Sequence, residues 1–219
     1  MKQMAAELSA HGFDGQAFLK IAQAPTAEIL SSFPLLATLP KGASLEGYLF
    51  PDTYYFAKEA TPEGIIKKIL NNTEARLTDD LRTAIKDQKK SQFEIMTMAS
   101  IVEAEVRVAR ERPIVSGIFW KRLAEGIRLQ SDATLDYILG TEAVKHSLEE
   151  TRIDSPYNTY AKDGLPPGPI GNPGLSSIKA AIFPEQTEYF YFLNDAQTGE
   201  TVFSKTFEEH VANKAKHGL

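Results

Sequence analysis

The sequence predicts an α+β fold in which helices dominate. Three features predict it. Apolar residues recur at helical spacing in one segment after another, and several of these segments open on a capping signal, as at Thr61-Pro62-Glu63 and at Ser91 followed by Glu94. Two short aromatic runs, YFYFLND (189–195) and TVFSK (201–205), flank a turn at Thr198-Gly199 and read as a β-hairpin. Proline and glycine are densest in one stretch, 154–174.

Taken in order, Met4 and Leu8 followed by Gly12 suit a short amphipathic helix with a glycine stop. A second helix is expected over 14–22, capped by Asp14. Pro25, Pro34 and Pro40 then interrupt the chain. The segment LEGYLFPDTYYF (45–56) is aromatic, and its Pro51-Asp52 step suggests strand, turn, strand. Thr61 and Pro62 open a helix running to about Leu77, with Ile65, Ile66, Ile69 and Leu70 as its buried stripe. Thr78 caps the next one, through Leu81 and Ile85. Ser91 and Glu94 form a capping box for a mostly buried helix carrying Ile95, Met98, Ala99, Ile101 and Val102. Pro113 starts another helix, to Glu125, which Gly126 stops. A loop then enters a short helix over 129–139. After the proline-rich loop come a helix over 176–181, the hairpin and a short terminal helix.

Composition removes several classes of function. The 219 residues carry 24 Lys and Arg against 29 Asp and Glu, a net charge of -5. That balance does not suit a protein that lives on nucleic-acid backbones, so no nucleic-acid partner is expected. Cysteine is absent, which excludes disulfide scaffolds, thiolate-ligated metals and thiol nucleophiles. His11, His146, His210 and His217 are scattered, with no metal-ligand spacing. No phosphate-binding glycine loop and no nucleophile elbow occur. No apolar run is long enough to span a bilayer. The abrupt start at Met1 reads as the interior of a longer chain.

Three places could carry chemistry. In ASIVEAEVR, Glu103 and Glu105 end an apolar helical stretch. Two residues apart on a helix, at ~100° per residue, they point to nearly opposite sides and are not a pair on one face. Periodicity leaves open which is the more buried. A carboxyl group in apolar surroundings has a raised pKa, as a general acid near neutrality requires. Both glutamates could equally be a surface pair bridged to Arg107 and Arg110. The loop PYNTYAKDGLPPGPIGNPG mixes hydroxyls, amides and aromatic faces, which suits sugar binding or a rigid structural cap. RLQSDAT clusters short polar side chains, and Ser131 or Asp132 there also fits a helix N-cap.

These motifs occur in one order: LEGYLFPDTY, ASIVEAE, Glu111-Arg112, KRLAEGIRLQSDAT, SPYNTY, GLPPGPIGNPG, SIKAAIFP and YFYFL. In that order, over roughly residues 40–210, the chain closely resembles the MltG/YceG family of endolytic murein transglycosylases. The resemblance implies a mainly helical catalytic domain over 41–219, with a few short strands and the C-terminal hairpin. It implies that residues 1–40 are the C-terminal part of a small LysM-like module. It implies a bacterial protein on the extracytoplasmic face of the inner membrane, held there by an N-terminal anchor that this sequence does not contain. The partners implied are peptidoglycan glycan strands and peptidoglycan synthases, and no cofactor.

The resemblance assigns the catalytic Glu of the ASIVE motif to Glu103. It assigns a supporting place to Glu105, and a place in the substrate cleft to Gln130, Asp132, Tyr157, Asn158, Thr159 and Tyr160. Glu46 either lines the same cleft or braces the fold. The reaction implied is non-hydrolytic cleavage between N-acetylmuramic acid and N-acetylglucosamine, leaving a 1,6-anhydro end, with one Glu as acid and then base. A muramidase-type hydrolase using Asp132 or Glu105 to activate water, and a glycan-binding scaffold without catalysis, are the alternatives.

Overall fold

The structure, a computed structural model, describes residues 1–141, 146–195 and 198–218. Within them run α1 (Lys2–Ala10), α2 (Gly15–Gln23), α3 (Ala27–Ser32), α4 (Pro62–Arg76), α5 (Asp79–Asp87), α6 (Gln92–Glu105), α7 (Arg112–Ala124), α8 (Asp132–Leu139), α9 (Leu175–Ile182) and α10 (Phe207–Lys216). Strands β1 (Tyr191–Asn194) and β2 (Thr201–Ser204) form an antiparallel pair, with Phe192 opposite Phe203 and Asn194 opposite Thr201. The α+β class and the helix order follow the sequence pattern. None of the described helices is long and apolar enough to cross a membrane.

Local rules place most helix starts. Asp14, Thr26, Thr61, Ser91 and Thr206 each accept a backbone N–H from the first turn they cap, and Ser91 with Glu94 makes the full capping box. Thr78 stands at the cap of α5 without making that bond. Helix α6 is buried from Ile95 through Val102, so its apolar residues face neighbours on every side. Helices α7 and α9 pack against it and against each other. Trp120 of α7 donates its indole N–H to the Ala181 carbonyl of α9 at 3.0 Å.

The helices before residue 40 share this core. Phe18, Ala22, Ile29, Leu35 and Leu36 pack in one cluster with Ile66, Leu70 and Met96. The Gln92 amide donates to the Leu35 carbonyl at 2.6 Å. The hairpin docks through Phe192, edge-on to Phe119 at 5.5 Å, and the Glu111 carboxylate accepts the Thr201 N–H at 3.1 Å.

Segment 45–56 differs from the strand-turn-strand expectation, for it is buried at its start and forms no ladder. Side chains satisfy its backbone instead. Asn172 Oδ1 accepts the N–H groups of Gly47 and Leu49, at 2.8 and 3.1 Å. Thr73 Oγ1 receives the Phe50 N–H and donates to the Tyr48 carbonyl. With those groups engaged by α4 and by the proline-rich loop, a second strand has nothing left to pair with. Gly47 sits at φ +90°, where a Cβ would also lie 2.5 Å from the Pro169 ring.

Gly117 sets how closely α7 approaches the chain after α9, because a Cβ there would stand 2.0 Å from the Glu185 carbonyl oxygen. A backbone atom cannot rotate away. Gly117→Ala is therefore expected to lower the unfolding free energy by about 1–3 kcal/mol, measured by urea denaturation.

Candidate active site

Two carboxylates leave the last turn of α6 and meet different surroundings. Glu103 is one-third exposed and pairs with Arg112 of α7, Oε1 to Nη2 at 2.9 Å. Its Oε2 accepts the Gly174 N–H, at the start of α9, at 2.9 Å. Arg112 also donates from Nε to the Val106 carbonyl, which closes α6. Glu103 thus ties together the ends of three helices. The partners expected for a surface pair are not the ones found. The chain leaves the helix at Val106, so Arg107 and Arg110 no longer follow the i+4 geometry. Arg110 pairs instead with Glu200 and Glu111.

Glu105 points into a groove of about 2440 Å³ lined by residues from nearly every part of the chain. Ser131 donates its hydroxyl to Glu105 Oε1, and the Ala133 N–H in the first turn of α8 reaches the same oxygen at 3.3 Å. Ser131 is the N-cap residue of α8 by position, but its side chain serves Glu105 and makes no cap bond to the helix. The Asn194 amide of β1 holds the Glu105 carbonyl at 2.9 Å. Burial pushes the pKa of the Glu105 carboxyl up to about 7. The charges of Asp132 and Asp136 add to that rise, while the Ser131 hydroxyl and the Ala133 N–H oppose it.

The other expected site residues divide into wall and support. Gln130, Asp132, Tyr157 and Tyr160 line the groove, as does Glu46. Tyr160 donates its hydroxyl to Asp132 Oδ1 at 2.5 Å. Tyr157 packs its ring on Tyr137 at 4.9 Å between centroids. Glu46 is buried and accepts from the Asn172 amide at 3.1 Å, so it both lines the groove and braces the fold.

Asn158 and Thr159 lie beneath the wall and do not reach the groove, because their polar groups are consumed by the chain itself. The buried Asn158 amide donates to the Thr151 and Ile153 carbonyls, and its oxygen accepts the Tyr160 N–H. Thr159 Oγ1 accepts the Ser131 N–H at 3.0 Å and meets Thr134 Oγ1 at 2.9 Å. Their work is to hold Ser131 and Tyr160 in place.

Sequence reasoning missed Arg122, Tyr137 and Asn172. The buried Arg122 guanidinium donates to the Arg128 and Phe190 carbonyls and to Gln130 Oε1 at 2.5 Å, joining α7 to both sides of the groove. A cation in the last turn of a helix is ordinary by local rules, which hid it. Gln130, held at its far end, takes a φ of +54°, an uncommon conformation for a residue with a Cβ.

Comparison with known proteins follows this geometry. The YceG-like family model matches residues 1–216. The endolytic murein transglycosylase of Bacillus subtilis is 42% identical over 173 residues, covering 78% of this chain and 47% of that protein. The endolytic murein transglycosylase of Streptococcus pneumoniae strain D39 is 35% identical over 215 residues, covering 92% of this chain and 39% of that protein. The chain therefore spans less than half the length of these two relatives. A crystal structure of a yceG-like protein from Listeria monocytogenes matches with a TM-score of 0.86 at 37% identity, over 97% of this chain and 72% of that one.

Two stability predictions arise here. Glu103→Ala removes the acceptor for Arg112 and Gly174, and the unfolding free energy should drop by about 1–3 kcal/mol at pH 7. Glu105 behaves in the opposite sense. Its folded-state pKa is raised from 4.5, so its share of stability is full below that value and is lost as pH rises through about 7. Glu105→Gln should match the parent at pH 4 and exceed it at pH 8 by about 1–2 kcal/mol, read from paired denaturation curves.

Proposed function

The chain belongs to the YceG-like family, and on that premise we propose that it is the catalytic part of an endolytic peptidoglycan transglycosylase in which Glu105 is the acid and then the base. The substrate is the peptidoglycan glycan strand, cut between N-acetylmuramic acid and N-acetylglucosamine. The observation that carries this reading is that Glu105 stands at the wall of the groove with its pKa pushed up to about 7, between its two protonation states near neutral pH. A groove of about 2440 Å³ exceeds the roughly 300–1,000 Å³ of ordinary small-ligand pockets and suits an extended polymer. Tyr137 and Tyr157 along it offer aromatic surface to the apolar sides of sugar rings.

Protonated Glu105 gives its proton to the glycosidic oxygen as the bond to the muramic acid anomeric carbon breaks. The electron pair of that bond leaves with the oxygen. The muramic acid 6-hydroxyl then attacks the anomeric carbon, and its proton returns to the Glu105 carboxylate. The Ser131 hydroxyl and the Ala133 N–H, both aimed at Oε1, stabilise the carboxylate between these steps. The acid role assigned by resemblance to Glu103 fits Glu105 better. Both Glu103 oxygens are engaged, by Arg112 and the Gly174 N–H, and Glu103 does not line the groove.

The family resemblance also supports work at the extracytoplasmic face of the bacterial inner membrane, beside peptidoglycan synthases. The division at residue 40 into a LysM-like remnant and a catalytic part belongs to the same proposal.

Glu105→Gln should lower release of anhydromuramic-acid-terminated glycans by about 10²–10⁴-fold, measured by mass spectrometry on purified glycan strands. Glu103→Gln should keep activity within about tenfold of the parent once folded, because it alters support and leaves the proton donor. The reverse ranking would return the acid role to Glu103. Products with reducing muramic acid ends would identify a hydrolase, and strand binding without either product would identify a scaffold. For the parent, kcat/KM should decline above about pH 7 as Glu105 loses its proton.

A further inference from the structure

Asp132 and Tyr160 both line the groove, where either could be taken for a sugar contact. Their geometry assigns them another task. The Tyr160 hydroxyl, which has one proton to donate, spends it on Asp132 Oδ1 at 2.5 Å. Asp132 is the first residue of α8, directly after the Ser131 that holds Glu105. Tyr160 is fixed in turn by its own backbone, whose N–H bonds buried Asn158, while its carbonyl accepts from Arg128. Thr159 binds the Ser131 N–H, so the strip 158–160 grips the start of α8 at two neighbouring points. This is more restraint than a freely adapting sugar contact requires.

We infer that Asp132, held by Tyr160, is a positioning residue that keeps a fixed negative charge beside Glu105 and so governs when that carboxyl releases and recovers its proton. The inference rests on the reading of Glu105 as acid and base. No proton passes through the pair: Glu105 gives one to the glycosidic oxygen and takes one from the attacking hydroxyl, while Tyr160 keeps its own. The fixed charge makes Glu105 hold its proton until a sugar oxygen accepts it. It also favours the positive charge that develops on the sugar ring as the bond breaks.

The charged and titratable groups around this point come from several parts of the chain. Helix α8 contributes Asp132 and Asp136, the proline-rich loop contributes Tyr160, and α7 contributes Arg122, with Arg107 lining the same groove. Burial and the Asp132 charge both hold the Tyr160 hydroxyl in its protonated form, as a permanent donor must be. Arg122 opposes that effect, and it is occupied by three carbonyl and amide oxygens.

The test titrates Glu105 directly, by carbon NMR of the chain labelled at glutamate carboxyls, with Glu105→Gln identifying the signal. Asp132→Asn keeps shape and removes the charge, and the Glu105 midpoint should fall by roughly one pH unit. Ser131→Ala removes a donor to the carboxylate and should move the midpoint the other way. The alkaline limb of kcat/KM should shift with each midpoint. A midpoint unmoved by Asp132→Asn, with a raised KM alone, overturns the inference and makes Asp132 a substrate contact. If Asp132→Asn does not fold, Tyr160→Phe reads the same coupling: it keeps the charge but removes the hydroxyl that shares it, and the midpoint should rise. A midpoint that stays put in Tyr160→Phe overturns the inference as well. Loss of the functional reading would look different, since the parent would yield no anhydro product while the midpoints could still be compared.

Discussion

The last turn of α6 carries two carboxylates that point about 200° apart, and the structure around them depends on how each is received. Glu103 meets Arg112 and the Gly174 N–H, so its charge is compensated and three helix ends are joined. Glu105 meets Ser131, the first turn of α8 and otherwise mainly protein bulk, so its charge is only partly compensated. A guanidinium and a backbone N–H engage the first carboxylate. The second, held by a neutral hydroxyl and a single N–H, with acidic neighbours, keeps its proton to about neutral pH.

The groove wall depends on side chains that never enter it. Asn158 and Thr159 are buried, and their polar atoms close the loop on itself and hold the chain before α8. Asn172 does the same for segment 45–56, accepting two N–H groups from a backbone with no strand partner. In each case one short polar side chain replaces a secondary-structure ladder. Prolines limit the conformations this loop can adopt when unfolded, which reduces the entropy lost in fixing it. Arg122 completes the frame by reaching backbone on both sides of the groove, while Gln130 is held at a positive φ between Arg122 and the Thr159 carbonyl.

Family membership and site geometry bear on different questions. The relatives are named for their action on murein. The arrangement within this chain separates a carboxyl at the groove wall from one held by Arg112 and the Gly174 N–H. It also separates the residues that touch the groove from those that support them. Neither distinction follows from motif order.

Helix starts were legible in the sequence because capping is local: Asp14, Thr61 and Ser91 each bond an N–H within three residues. The buried stripe of α4 and the hairpin were legible for the same reason, since periodicity and turn residues act over a few positions. Segment 45–56 was misread as strands because its partners, Thr73 and Asn172, lie far along the chain. The two glutamates defeated periodicity altogether. Helical geometry could say that they diverge, but what each would meet depended on Arg112, Gly174 and Ser131, brought there by the packing of α7, α8 and α9. The sequence by itself determined the elements and their order. Only the tertiary structure decided which carboxyl is exposed to the groove, because proton affinity depends on surroundings assembled from distant parts of the chain.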